Sequence, residues 1–519
     1  MSVILDGKSL SLDDVVAVSA RFETVEVAAA VAWRLEKARA LIDVMAAGDE
    51  PHYGINTGFG ALAEKRIPKD KVKLLQRNLI ESHAVGVGEP MALPIARALM
   101  MLRAATLAVG HSGCRPVVLH TLVALLNAGA APCVPRKGSV GASGDLAPLA
   151  HTALLLLGQG DAFLRTSAGG TQRVSAAEAL ARAGVAPLVL EAKEGLALIN
   201  GTQAMVATGI HALVEAERLC LLADIIGACS LDALQGTAAA FDPRIHQARP
   251  HPGQLQSAKN LSALLKGSGI MESHRDCGKV QDPYSLRCMP QVHGATRDSL
   301  AHIRAVLARE VNSATDNPLV FLDGDYGVAG DDVLSGGNFH GQPVALALDF
   351  LAIATSELAN ISERRIEQLV NPALSSGLPA FLAPDPGLNS GFMILQVTAA
   401  ALINENKVLS HPASVDSIPS SANREDHVSM GMTSANKAVA VVENVRHVLG
   451  IELMTACQAL DLRRPFLPGR PLVEVVARVR RDIDFAPVDR VFGKDLEKAC
   501  ALVADDTIVQ MARRHAEIL

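Results

Sequence analysis

The stretch "GSVGASGDLAPLAH", residues 138–151, places three glycines and two serines within its first seven residues and then enters an apolar segment. A loop that only reverses the chain needs one or two residues able to adopt positive φ. Here Gly138, Gly141 and Gly144 leave the backbone around Ala142 and Ser143 almost bare. A glycine nitrogen can approach a carbonyl carbon two residues earlier because no Cβ blocks the contact. Attack of the Gly144 nitrogen on the Ala142 carbonyl carbon, with loss of one water, would close a five-membered ring. Loss of the Ser143 hydroxyl as a second water would leave an exocyclic methylidene, an electrophile that no ordinary side chain supplies. The bland alternative is a plain glycine turn, since Ser-Gly occurs at six places in this chain. Asp145 beside the ring-forming atoms, and the apolar anchor at 146–151, favour the chemistry.

The rest of the chain narrows the setting. Its 519 residues, 49% hydrophobic and 20% charged, suit a globular protein with a sizeable core. A net charge of −6 and the lack of any Lys/Arg cluster with interleaved aromatics argue against a nucleic-acid partner. The N-terminus has no basic start leading into a long apolar run, and no segment reaches roughly 18 uninterrupted apolar residues, so a cytoplasmic protein without a membrane partner is expected. Eight cysteines stand singly with no C-x-x-C pair, which predicts buried free thiols rather than disulfides or a zinc knuckle.

Long runs free of glycine and proline predict helices over 344–371, 392–410, 433–449 and 296–317, with further helices over 25–46 and 91–109. "VALALDFLAIA" and "MILQVTAAALI" are apolar on more than one face and must be buried, which points to the centre of a homotetramer or dimer. The stretch 241–295, rich in His, Pro and Gly, reads as a long excursion between helices. The expected fold is mainly α: a long-helix bundle over 201–519, and a smaller, mixed N-terminal domain over 1–200 that carries the glycine-rich loop.

That loop, with seven further stretches in order, resembles the aromatic amino acid ammonia-lyase family over nearly the whole chain. The stretches are "YGINTGFG" (53–60), "NLIESHAVGVG" (78–88), "LALINGTQA" (196–204), "VQDPYSLRC" (280–288), "TDNPLV" (315–320), "SGGNFHGQPVA" (335–345) and "SANREDHVSMG" (421–431). The resemblance implies that Ala142, Ser143 and Gly144 become 4-methylidene-imidazole-5-one (MIO), with no external cofactor; the histidines show no tight metal-ligand spacing, and no metal ligand is expected. It also implies a homotetramer whose sites join several chains. Removing ammonia from an α-amino acid requires abstraction of a weakly acidic β-proton, and Tyr53 is the expected base, with Tyr284 the other candidate. Free tyrosine titrates near 10, so positive charge or hydrogen bonds to the anion would have to bring it down. Arg287 has the fork geometry that grips a carboxylate. By resemblance it holds the substrate carboxylate, with Tyr284 and Gln281 beside it, while Asn200 and Phe339 line the MIO pocket.

His83 and Glu425 decide the expected substrate. They are similar to the pair that the histidine-specific branch of the family places at the imidazole, whose ring nitrogens need partners once buried. The implied reaction is non-oxidative elimination of ammonia from L-histidine to trans-urocanate, with a tyrosine or phenylalanine ammonia-lyase or an aminomutase as the alternative. Arg424 beside Glu425 stands where many members of the histidine-specific branch carry Gln, while "RPHPGQ" at 249–254 and Gly341-Gln342 are more similar to the aromatic branch. Arg424 either neutralises Glu425 or faces solvent. Other signatures fail: Gly7-Lys8-Ser9 lacks the first glycine of a phosphate loop, H-E-x-x-H and G-x-S-x-G are absent, and His411 and His427 are read as hydrogen-bonded residues, not zinc ligands.

Overall fold

The computed structural model describes residues 2–166 and 169–519. Among these, twenty α-helices carry the fold and the sheets are small, of two or three strands each. The run predicted over 344–371 is the helix Gln342–Val370, with Pro343 in its first turn, and 392–410 is Met393–Leu409. The helix predicted over 433–449 extends to Gly431–Leu462. Gly450 does not stop it, because the missing side chain gives room to Cys500 of the helix Phe492–Ala504. The helix expected over 296–317 instead runs Met289–Glu310. Pro290 falls in its first turn, where no intrahelical N–H is lost, and Gly294 lies where Gly253 approaches its backbone.

The stretch 241–295 differs from expectation. It contains the helices Pro243–Gln247, Pro252–Leu265, Gly269–Ser273 and Tyr284–Arg287 before Met289–Glu310 begins. Pro243 and Pro252 each occupy a first helical position, where proline's fixed φ starts a helix instead of breaking it. The helix Gln342–Val370 is long and apolar enough to cross a membrane by length and composition, yet 72% of its most apolar window is buried within the protein, as in a core helix. Cys114, Cys220, Cys229 and Cys457 are buried, as predicted; Cys133, Cys288 and Cys500 are partly buried, and Cys277 is exposed, against the prediction.

Two compact units are each assembled from three segments. The first comprises the chain up to His211 with Arg304–Asp349 and Pro412–Asn436; the second comprises Ala212–Ile303, Phe350–His411 and Lys437–Leu519. In the first, the antiparallel pair Val87–Pro90 and Pro135–Lys137 delivers the chain directly to Gly138. The helix Leu93–Val109 opens on Pro94, ends at left-handed Gly110, and is buried throughout 96–108, including Arg97 and Arg103. Ile55, fully buried, packs with Ala38, Ile42, Val72, Ala192 and Val320, and so anchors the turn that carries Tyr53.

The second unit holds a buried ion pair. Arg365 donates from Nε and Nη2 to Glu452 at 2.5 and 2.8 Å, and the hydroxyls of Ser230 and Ser362 donate to the same carboxylate at 2.6 Å each. Neither charged side chain has any solvent exposure. Removing one member strands the other in a medium that cannot solvate it. Glu452→Ala is expected to destabilise the protein by about 3–5 kcal/mol, measured by denaturant unfolding, whereas a loss under about 1 kcal/mol would mean that water reaches the site.

Candidate active site

The glycine-rich loop is clamped from several sides. The Asp145 N–H donates to the Gly201 carbonyl at 2.7 Å, and the Asn200 side-chain amide donates to the Ser143 carbonyl at 2.9 Å. Gly341 N–H and the Ser429 hydroxyl both donate to the Gly141 carbonyl at 3.1 Å, and Met430 N–H donates to the Val140 carbonyl at 2.8 Å. Gly144 has φ +77° and Gly141 φ +72°, both left-handed. A Cβ on Gly144 would overlap the Gly201 backbone, and one on Gly141 the Ser429 hydroxyl. Both glycines are required by conformation and by space, so this is a packed backbone junction rather than a loose turn.

A cavity of about 580 Å³ opens over Ser143. Four further elements reach it. Tyr53 comes from the turn above Ile55, which Asn56 ties by donating to the Glu50 carbonyl and accepting from His52 N–H. His83 is the last residue of the helix Val72–His83, and Asn200 is the residue after the helix Glu194–Ile199. Glu425 stands on a small loop closed by backbone pairing with Ser420, in which Ser421, Ala422 and Asn423 are all left-handed. Such strain in three non-glycine residues persists only where the surroundings impose it, and it gathers at functional sites.

Glu425 is the hub of the polar contacts. Its Oε1 accepts from the Ser143 hydroxyl at 2.5 Å, and its Oε2 from Ser420 and Ser421 at 2.6 and 2.9 Å. Burial pushes the Glu425 carboxyl up, but those hydroxyls and nearby His83 outweigh it and hold the group below its usual range. His83 is pushed down by burial, although the Leu79 carbonyl and Glu425 oppose that, so its imidazole favours the neutral form. Its Nδ1 lies 3.0 Å from the Ser82 hydroxyl.

Tyr53 departs from what a base requires. Burial raises its phenol, the charges of Glu425 and Asp316 raise it further, and only the Gly60 backbone works the other way. The lowering expected from sequence does not arise within the single chain. Arg424 pairs with Glu64 at 3.6 Å, both exposed, so it faces solvent and does not neutralise Glu425.

Tyr53, His83, Ser143, Asn200 and Glu425 thus come together, whereas Gln281, Tyr284, Arg287 and Phe339 do not line this cavity. Phe339 is half-buried in a turn. Gln281, Tyr284 and Arg287 border a different depression in the second unit. There the Arg287 guanidinium lies 4.6 Å from the centre of the Tyr284 ring, and its Nε is buried without a partner. Gly341 holds the loop and Pro252 starts a helix, so neither departure toward the aromatic branch touches the cavity. His427 stacks on His340, with ring centres 5.6 Å apart. Leu75, Asn78, Leu79 and Ser82 also line the cavity and were missed. Their spacing of three and four residues, ending beside His83, places them on one helix face, a signal the sequence does contain.

The chain matches the family model described as aromatic amino acid lyase over residues 10–481. It is 58% identical over 506 residues to a histidine ammonia-lyase of Anaeromyxobacter sp. (strain K), covering 97% of this chain and 98% of that one. Among solved structures it is similar to histidine ammonia-lyase from Trypanosoma cruzi, with a TM-score of 0.90 and 45% identity, covering 100% of this chain and 96% of that one. Tyrosine aminomutase from Streptomyces globisporus superposes with a TM-score of 0.92 at 38% identity, with full coverage of both chains. Shape alone therefore does not separate the two reactions.

Asp145 provides a pH test of the junction. Burial pushes its carboxyl up to about 6, against the opposing Met205 N–H, Ser139 hydroxyl and Ala204 N–H. An acid whose folded value is raised holds its proton longer in the folded state, so stability is lost as pH climbs from the unfolded value near 4 through about 6. The unfolding free energy of the unaltered protein, minus that of Asp145→Asn, should fall by up to about 3 kcal/mol across that window. Denaturant titrations at several pH values check this, and a flat difference would mean that folding does not raise the proton affinity of Asp145.

Proposed function

The chain belongs to the aromatic amino acid lyase family, and from that membership we propose that it eliminates ammonia from L-histidine to give trans-urocanate, using an electrophile closed from Ala142, Ser143 and Gly144. The observation that carries this reading is the polar end of the cavity, where His83 and Glu425 share the lining with Ser143. An imidazole has ring nitrogens that lose roughly 1–3 kcal/mol per group if left unpaired. A carboxylate held ionised and a neutral imidazole offer them an acceptor and a second partner. A phenyl ring would leave those same protein groups stranded.

The described residues fit the ring. The Gly144 nitrogen forms a bond to the Ala142 carbonyl carbon; the carbonyl oxygen departs as water with the amide hydrogens of Gly144 and Ser143. The Ser143 Cα hydrogen and its hydroxyl then leave as a second water, and a carbon–carbon double bond remains. No oxidant is needed. Once formed, MIO supplies an electrophilic methylidene carbon for the substrate amine. Tyr53 removes the β-proton, Asn200 holds the Ser143 carbonyl, and His83 with Glu425 orients the imidazole.

Gln281, Tyr284, Arg287 and Phe339 complete the site from neighbouring copies in a homotetramer, with Arg287 on the substrate carboxylate. This reading is supported by Arg287's unpartnered Nε and by the apolar residues the single chain leaves bare. On the helix Met393–Leu409, Ile394, Val397 and Val408 are 64%, 52% and 70% exposed. A completed site would also bring Tyr53 the positive surroundings it lacks. We assign the protein to the cytoplasm, with a free amino acid as its ligand.

The deciding experiment incubates the purified protein separately with L-histidine, L-tyrosine and L-phenylalanine and follows both conjugated acids and β-amino acids. Urocanate from histidine alone is expected; a β-amino acid would establish the aminomutase. Ser143→Ala should lower turnover by at least about 10³-fold with native assembly size retained, and a variant that kept substantial activity would remove the electrophile from the mechanism.

A further inference from the structure

Arg103 is a buried cation whose hydrogen bonds all go to backbone carbonyls at the turn that holds the ring-forming loop. It lies on the helix Leu93–Val109 with no solvent exposure. Its Nη1 donates to the Ala197 carbonyl at 2.9 Å and to the Asn200 carbonyl at 2.8 Å. Its Nε and Nη2 are buried without a partner. One turn along the same helix, the Thr106 hydroxyl accepts from Gln203 at 2.9 Å. The helix therefore grips the segment 197–203 at both ends. Asn200 and Gly201, which that segment carries, hold the Ser143 carbonyl and the Asp145 N–H.

A guanidinium in such a place is expensive, since burying a charge without an anionic partner opposes folding. Burial accordingly lowers its pKa to about 10 despite the opposing charge of Asp316. An apolar side chain would pack at less cost unless the two carbonyls had to be fixed. Ring closure demands such fixing, because the Gly144 nitrogen must meet the Ala142 carbonyl within a few tenths of an ångström and along one direction.

We propose that Arg103 is a positioning residue for ring closure: by holding the Ala197 and Asn200 carbonyls it sets the Asn200-Gly201 turn against which Ser143 and Gly144 are aligned. It touches neither substrate nor reacting atoms. The proposal rests on the ring-closure reading above.

Arg97 supplies the control. It is equally buried on the same helix and also donates only to carbonyls, those of Val18, Ser19, Leu126 and Ala130, away from the loop. Intact mass of the purified full chain, followed over incubation time, reads ring closure directly as the loss of two waters. The unaltered protein and folded Arg97→Met should both be fully two waters lighter. Folded Arg103→Met should retain undehydrated chains, with conversion slowed at least about tenfold; Arg103→Lys, which can reach one carbonyl, should fall between. Conversion of Arg103→Met as complete and as fast as that of Arg97→Met overturns the proposal alone. Should Arg103→Met not fold, Arg103→Lys decides: slowed conversion supports the role and unaltered conversion overturns it. A wild-type chain of unchanged mass would overturn the ring-closure reading, and this proposal with it.

Discussion

The close approach of two glycine backbones, Gly144 against Gly201, is the constraint on which the remaining structure depends. Neither strand of this contact tolerates a side chain, and the Asp145 amide donates across it at 2.7 Å. Several neighbouring elements hold these two segments in place. The strand Pro135–Lys137 brings one in, the helix Glu194–Ile199 brings the other, and Glu194 anchors that helix through a two-pronged pair with Arg115. Lys193, left-handed and wholly buried, pairs with Asp316 at 2.9 Å just before it. Much of the charge buried in the first unit thus surrounds one short helix and the turn beyond it.

This concentration has a thermodynamic meaning. Buried ion pairs and cations stabilise a fold less well than apolar side chains of equal volume, but they have direction, and leaving their geometry strands a charge. The first unit gives up stability for a backbone that cannot relax. The three left-handed residues at 421–423 follow the same rule on the opposite wall, where they aim Glu425 at Ser143.

Much of this was legible in the sequence, unevenly. The glycine spacing at 138–144 announced a bare backbone, and the absence of glycine and proline announced the long helices, because both signals are local. Tyr53, His83, Ser143, Asn200 and Glu425 lie together as their motifs implied. What failed was composition read without position: Pro243 and Pro252 begin helices, and Gly450 sits in one that packs on Cys500. The direction of the Tyr53 shift was not readable at all, since it arises from the burial that folding produces and from Glu425 and Asp316, hundreds of residues away. Arg103 was invisible for a similar reason, because a residue's use as a clamp is fixed by what it clamps.

The hydrogen bond from Ser143 to Glu425 has an implication for timing. Under the proposed chemistry the serine oxygen departs, and with it goes the donor that had occupied Oε1 of Glu425. A newly made chain is therefore self-capped: the oxygen meant for the guest is engaged by the host. Maturation vacates the acceptor in the same event that creates the reactive carbon, so recognition and reactivity come into being together.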